Sequence, residues 1–326
     1  MKLMRYKLMF ILLSIMLTAC TSDEDRRRER QAIMTTQLTE QVQQTETQLN
    51  SLKKQINSGL VKNAVLLKLY GEAVKRYKPE LAELIDALTK DATSNGPIFQ
   101  SLMLRFKEAQ AGMSIAVGSE SGLNNMIQEM VLIDEAANPA VYNMILTDPI
   151  NVLADMSDGK LGRVEAMSKE AMKAADGGEE SYQGSQLVGN PNYGQWQNNS
   201  SGQVWMWLGA YSMFSNLHRP VYYNNWSRGR HYSYYHDVGR RQYTSPSQYK
   251  QQQTTQSTAK AKFKKQGKTF ASPYAKTRTG ATSTTVRPKS LASSNKFKSP
   301  YSSSNSSSSS ARNSNARISR GTSRGK

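Results

Sequence analysis

Residues 60–90 read LVKNAVLLKLYGEAVKRYKPELAELIDALTK. The first nineteen of these form one helical segment, and Pro79 follows where a second helix would begin. Proline suits a first turn because its missing N–H has no intrahelical partner there. Leu81, Leu84, Ile85 and Leu88 then recur at helical spacing and give the second helix an apolar face. Working outward, Asn95-Gly96-Pro97 stops that helix. IFQSLMLRFKEAQ follows, with Ile98, Leu102 and Phe106 in register. After a Gly/Ser link, LNNMIQEMVLIDEAA is helical up to Asn138-Pro139. Shorter pieces over 141–146 and 149–156 lead to a turn at Asp158-Gly159. A last helix, RVEAMSKEAMKAA, ends at Asp176-Gly177-Gly178. No run here alternates apolar and polar residues convincingly, so residues 60–176 are expected to be an all-α domain with a modest single core.

On the N-terminal side, residues 31–59 place Leu38, Val42, Leu49, Leu52 and Ile56 at coiled-coil-like spacings, with Thr45 and Gly59 interrupting the seam. Two readings fit: self-association as a coiled coil, or a surface helix packed on its own domain. Residues 20–30, which include DEDRRRER, read as a charged tether with no apolar face.

Beyond Gly177 the helical pattern fails. Residues 177–244 are rich in Gly, Asn, Tyr and Trp, and are expected to be partly ordered. Within them VWMWLGAYSMF, residues 204–214, is the most apolar stretch outside the N-terminal segment, and it is too short to span a bilayer. It reads either as a helix packed on the body or as an interfacial patch, with Trp205, Trp207, Tyr211 and Phe214 in the lipid headgroup region. Residues 245–326 are Gln, Thr, Ser, Lys and Arg with almost no aliphatic side chains, a composition expected to be disordered.

The charge is unevenly distributed. From Arg219 to Lys326 there are 22 Lys and Arg against one acid, Asp237, whereas the whole chain carries 43 basic and 25 acidic residues. Residues 222–249 also interleave seven Tyr and Trp226 with arginines. A basic, aromatic-studded segment on a near-neutral body points to a polyanion partner. The expected contacts are Arg228, Arg230, Arg240 and Arg241 with Lys260, Lys262, Lys264, Lys265 and Lys268.

Reactive constellations are missing from the sequence. His231, His236 and Asp237 have a spacing that suits neither a helix face nor a strand face, and neighbouring arginines repel a cation, so no metal site is expected. Gly118-Ser119-Glu120-Ser121-Gly122 has Glu where a nucleophile elbow needs Ser, and reads as a flexible link. Asp155 and Asp158-Gly159 lack the alternating oxygen ligands of a calcium loop. Asp134-Glu135 and Glu179-Glu180 read as solvated surface. The chain is therefore expected to be non-catalytic and to need no cofactor.

The N-terminus supplies an address. MKLMRYKLMFILLSIMLTA, residues 1–19, has a basic start and a short apolar stretch, the pattern of an export signal. Leu17-Thr18-Ala19-Cys20 resembles a bacterial lipobox, and Cys20 is the only cysteine in 326 residues. The resemblance implies cleavage before Cys20 and acylation of its thiol and amino group. Thr21, where an Asp would imply inner-membrane retention, makes the outer membrane the expected destination. With Cys20 consumed, no disulfide is available and packing alone must hold the fold. NPNYGQW at 190–196, RPVYYNNWSRGRHYSYYHDVGR at 219–240 and the SRG-containing end at 319–326 make the chain similar to uncharacterised bacterial envelope lipoproteins. The C-terminal layout also weakly resembles YgiB-type lipoproteins. The resemblance implies no catalytic residues. The expected function is binding of an anionic envelope polymer (lipopolysaccharide, cell wall or extracellular DNA) by the basic tail of a lipid-anchored protein. The alternative is an assembly subunit whose helical domain binds another envelope protein.

Overall fold

The computed structural model describes residues 23–164, 182–200 and 202–274. The export signal, Cys20, most of the helix expected over 163–175 and the tail beyond 274 lie outside the described residues. What is described is predominantly helical, with one two-stranded sheet.

Helix α1, Asp23–Asn57, starts with three acids that complement the positive end of the helix dipole. DEDRRRER thus forms its first two turns, with an Arg28–Glu24 pair at 2.6 Å, and the charged tether expected over 20–30 is corrected from Asp23 onward. The seam residues Leu38, Thr45, Leu49, Leu52 and Ile56 are buried. Their cover is α5, Glu120–Ala137: Arg30 pairs with Glu120 at 3.1 Å, the Thr45 hydroxyl donates to the Met130 carbonyl at 3.3 Å, and Gln48 donates to the Ala137 carbonyl. Rising residue numbers in one helix meet rising numbers in the other, so the two lie parallel. The coiled-coil-like stripe is filled from within the chain, and the polar Thr45 is tolerated there because Gln41 and Met130 carbonyls accept its proton.

Helices α2 (Lys62–Tyr77), α3 (Ala82–Thr89), α4 (Pro97–Ala116), α6 (Pro139–Ile145) and α7 (Thr147–Met156) complete the body. Their starts follow local chemistry. Pro79 opens a 3₁₀ turn ahead of α3, Pro97 stands first in α4 and Pro139 first in α6, and the Asn138 side chain accepts from Ala140 N. Ser119 caps α5 by accepting from Gly122 N at 3.0 Å. Glu120–Gly122, expected in a flexible link, are instead the first turn of α5. Helix α7 is buried almost throughout and forms the centre of the core.

After Tyr182 the chain forms a hairpin, β1 (Gly194–Asn199) against β2 (Gly202–Trp207), with Trp196 opposite Trp205. The second edge of β2 bonds to the 221–222 segment, where Trp205 N donates to Val221 O at 2.8 Å. The helix, one of the two readings of 204–214, is therefore corrected to a strand followed by a 3₁₀ turn, Gly209–Met213, and a helical turn, Phe214–Leu217. Aromatic cross-strand pairing outweighs helix propensity here. Gly194, whose cross-strand partner is Trp207, is required because a Cβ there would lie 2.4 Å from the Trp205 ring.

Helix α8, Pro246–Lys265, corrects the disorder expected over 245–326 for its own residues; the part beyond 274 lies outside the described residues. It has a complete capping box: Ser245 Oγ accepts from Gln248 N, and Gln248 Oε1 accepts from Ser245 N at 2.9 Å, with Pro246 at the first position. Its buried face is Gln252, Thr255, Ala259 and Phe263. Helical spacing is kept, but by residues that a search for aliphatic stripes does not register.

Candidate functional site

The basic segment is bound to the body by buried polar ties. Arg230 and Asp237 form a two-pronged pair at 2.8 and 2.5 Å, both side chains almost wholly buried. Arg230 also donates to the Pro273 and His231 carbonyls at 2.8 and 3.0 Å, and Asp237 accepts from Ser233 N at 3.1 Å. All three guanidinium nitrogens donate and both Asp237 oxygens accept, which helps a buried ion pair to hold its geometry. Asp148 on α7 accepts from the backbone N–H groups of Tyr234 and Tyr235 at 2.7 and 2.9 Å, so it caps the π-helical turn Tyr235–Gly239 that leads into the helical turn Arg240–Tyr243. Burial raises its carboxyl to about 7. At the far end of that segment, Arg105 on α4 holds Glu129 with two hydrogen bonds and donates to the carbonyls of Arg241 and Gln242. The Tyr243 hydroxyl donates to Ala136 O at 2.8 Å.

These contacts reassign two expected polyanion contacts. Arg230 is internal and its charge is neutralised by Asp237. Arg240 is half-buried: its guanidinium lies 3.5 Å from the Tyr274 ring centroid and 4.6 Å from that of Tyr249, and its Nε donates to Gln252 at 2.7 Å. Arg228 and Arg241 are exposed.

The interfacial patch expected at Trp205, Trp207, Tyr211 and Phe214 is also corrected. Trp205, Tyr211 and Phe214 are buried and Trp207 is half-buried. Tyr211 donates to Ala87 O at 2.9 Å and stacks edge-on against Tyr193, while Trp207 packs on Phe214 at 4.8 Å. Tyr193 in turn donates to Asp91 at 2.9 Å, and burial raises that carboxyl to about 7. The apolar stretch covers the helical body instead of facing lipid.

What remains on the surface is a cluster of lysines. The capping box and the buried Gln252–Thr255–Ala259–Phe263 face orient α8 so that Lys250, Lys260, Lys262, Lys264 and Lys265 are exposed, and Lys268 follows just past its end. Among the described residues none of these lysines forms an ion pair. Lys262, Lys264 and Lys265 sit in the last turn, where the negative end of the helix dipole favours cations. That local stabilisation lets an acid-free helix carry them. Cations so arranged can neutralise the charges of a polyanion and release the counterions condensed on it, which drives association.

The histidines are dispersed among rings. His236 is buried, its Nε2 2.8 Å from the Val188 carbonyl, and burial with the nearby Arg230 charge pushes its pKa well down. His218 and His231 contact the Tyr182 ring. No group of three His, Cys, Asp or Glu side chains able to hold a metal occurs among the described residues. A polar cavity of about 610 Å³ lies beside Asp155, Arg163, Tyr182 and His218, with Asp155 and Arg163 already paired at 2.9 Å. Asp91, Arg105 and Asp148 escaped the sequence reading, because the partners that explain them lie far away in the chain. Compared with family models, curated proteins and solved structures, the chain matches none.

Proposed function

We propose that this chain is a lipid-anchored, non-catalytic protein of the bacterial envelope, acylated at Cys20 and placed in the outer membrane, that binds an anionic polymer through its basic C-terminal surface. The observation that carries the reading is the face of α8: five exposed lysines on an ordered helix with no acid and, among the described residues, no ion pair. Arg228, Arg241 and Lys268 add exposed charge, and 11 of the 22 basic residues from Arg219 onward lie beyond residue 274. The one acid of this region, Asp237, is withdrawn into its buried pair with Arg230 and does not offset the surface charge.

A deletion from 219 onward would remove Arg230, Tyr235 and Phe263 from the core, so the test uses charge. Residues 20–326 with Cys20→Ala are titrated with duplex DNA, lipopolysaccharide and purified wall sacculi over a range of salt. Log affinity for the preferred polymer is expected to fall linearly with log salt. Replacing Lys260, Lys262, Lys264, Lys265 and Lys268 by Gln should reduce the steepness on duplex DNA by about four. An unchanged slope and affinity would remove the α8 surface as the site.

A further inference from the structure

The turn between α1 and α2 exposes apolar groups that the fold leaves uncovered. Helix α1 ends in a left-handed Gly59 (φ +71°), with Gly59 N donating to Ile56 O and Leu60 N donating to Gln55 O at 2.9 Å. In this kind of ending the apolar residue after the glycine usually folds back on its own helix. Here Leu60 is 69% exposed, and Val65 and Leu69 on the first turns of α2 are 39% and 61% exposed. Val65 and Leu69 are one turn apart on the same face, and Gly59 lies against Val65.

The surroundings of this patch are cationic. Residues 47–71 contain Lys53, Lys54, Lys62 and Lys68 and no acid, all four lysines are exposed, and none is in an ion pair among the described residues. Lys62 stands first in α2, with no acid in the first turn to relieve its repulsion from the helix N-terminus. Helix α6, joined to this corner by Asn63–Asn143 hydrogen bonds at 2.8 and 2.6 Å, carries no ionisable acid or base except the buried Tyr142. The nearest acid along α2, Glu72, is paired with Lys75.

We propose that this corner is a membrane-surface contact: Leu60, Val65 and Leu69 enter the interface of an anionic bilayer while Lys53, Lys54, Lys62 and Lys68 meet its headgroups. Exposed leucines beside exposed lysines that form no ion pair among the described residues match that occupant in both polarity and charge. The contact is separate from the lipid on Cys20 and from the lysines of α8. It also lies at the opposite end of α1 from the point where the chain enters at Asp23. A 35-residue helix is about 50 Å long, so an anchor and a patch on one bilayer require α1 to lie along its surface.

The test uses residues 20–326 with Cys20→Ala, which leaves no thiol, and a single spin label introduced at Leu69→Cys or, as control, Gln197→Cys on the exposed part of the hairpin. With phosphatidylglycerol vesicles, the label at 69 should gain access to dissolved oxygen and lose access to an aqueous nickel chelate. The label at 197 should stay accessible to the chelate. Lys62→Glu with Lys68→Glu should abolish the change at 69. A chain that sediments with the vesicles while the label at 69 stays aqueous would overturn the contact and leave the basic C-terminal surface as the bound part. A chain that does not sediment at all would overturn it as well.

Discussion

Asp148 offers a measurement that reads the attachment of the basic segment directly. Its two carboxylate oxygens accept separately from Tyr234 N and Tyr235 N, and burial raises its pKa from 3.8 to about 7. The folded state therefore holds a proton that the unfolded chain releases. Stability from this group is fully present below pH 3.8 and is lost as pH rises toward 7, at about 1.4 kcal/mol per unit, or roughly 4 kcal/mol in all. Asp148→Asn cannot ionise and removes this slope. It also replaces one acceptor by a donor facing a backbone N–H, which costs about 2 kcal/mol at every pH. The variant should then be less stable than the parent near pH 4.5 and more stable at pH 7.5, the two curves crossing at about pH 5 to 6. Urea unfolding followed by tryptophan fluorescence at four pH values measures the difference. Asp91 and His236 also titrate, but they contribute equally to both proteins and cancel. A difference that does not change with pH would refute the reasoning, because it would mean that the two N–H donors fully offset the burial of the carboxylate.

Two further substitutions test the ties. Arg105→Ala leaves Glu129 without its partner and the Arg241 and Gln242 carbonyls without a donor; it should cost about 3–5 kcal/mol in urea unfolding, and a loss below about 1 kcal/mol would mean the tie is not structural. His236 is held neutral by burial, so its contribution is present above pH 6.5 and lost as pH falls. His236→Phe keeps a ring among Trp226, Tyr235 and Tyr274, and should gain stability relative to the parent between pH 7.5 and pH 4.5. An equal difference at both pH values would show that the imidazole titrates normally.

The helical body was legible because its determinants are local. Leu81, Leu84, Ile85 and Leu88 mark one face, and Asn95-Gly96-Pro97 and Asn138-Pro139 mark two helix boundaries. The C-terminal layer was not legible, because its determinants are distant or polar. Helix α8 buries Gln252, Thr255 and Ala259, which resemble the composition of a disordered tail, and only Ser245-Pro246-x-Gln248 signalled its start. The hairpin is formed by GQWQNN, a strand of amides and one tryptophan held by Trp205 across the sheet. Whether Arg230 faces solvent or Asp237 depends on a loop that brings Pro273 to it, 43 residues away. Charge could be counted from the sequence, but the sequence could not show which charges remain free.

The ties and the lysines also constrain each other. A disordered tail disperses its charges, whereas α8 concentrates Lys260, Lys262, Lys264 and Lys265 within two turns and adds their mutual repulsion to the folded state. The buried bonds around Arg230, Asp148 and Arg105 must offset that repulsion for the layer to stay attached. Anything that binds the folded form or screens its charge should therefore stabilise it. Raising sodium chloride from 20 to 200 mM is expected to increase the thermal midpoint of residues 20–326 with Cys20→Ala. The same chain with the five lysines at 260–268 replaced by Gln should start higher at low salt and respond less. If both chains responded equally, the repulsion would have to come from elsewhere in the molecule, and α8 could not be described as a charge cluster held in place at a cost.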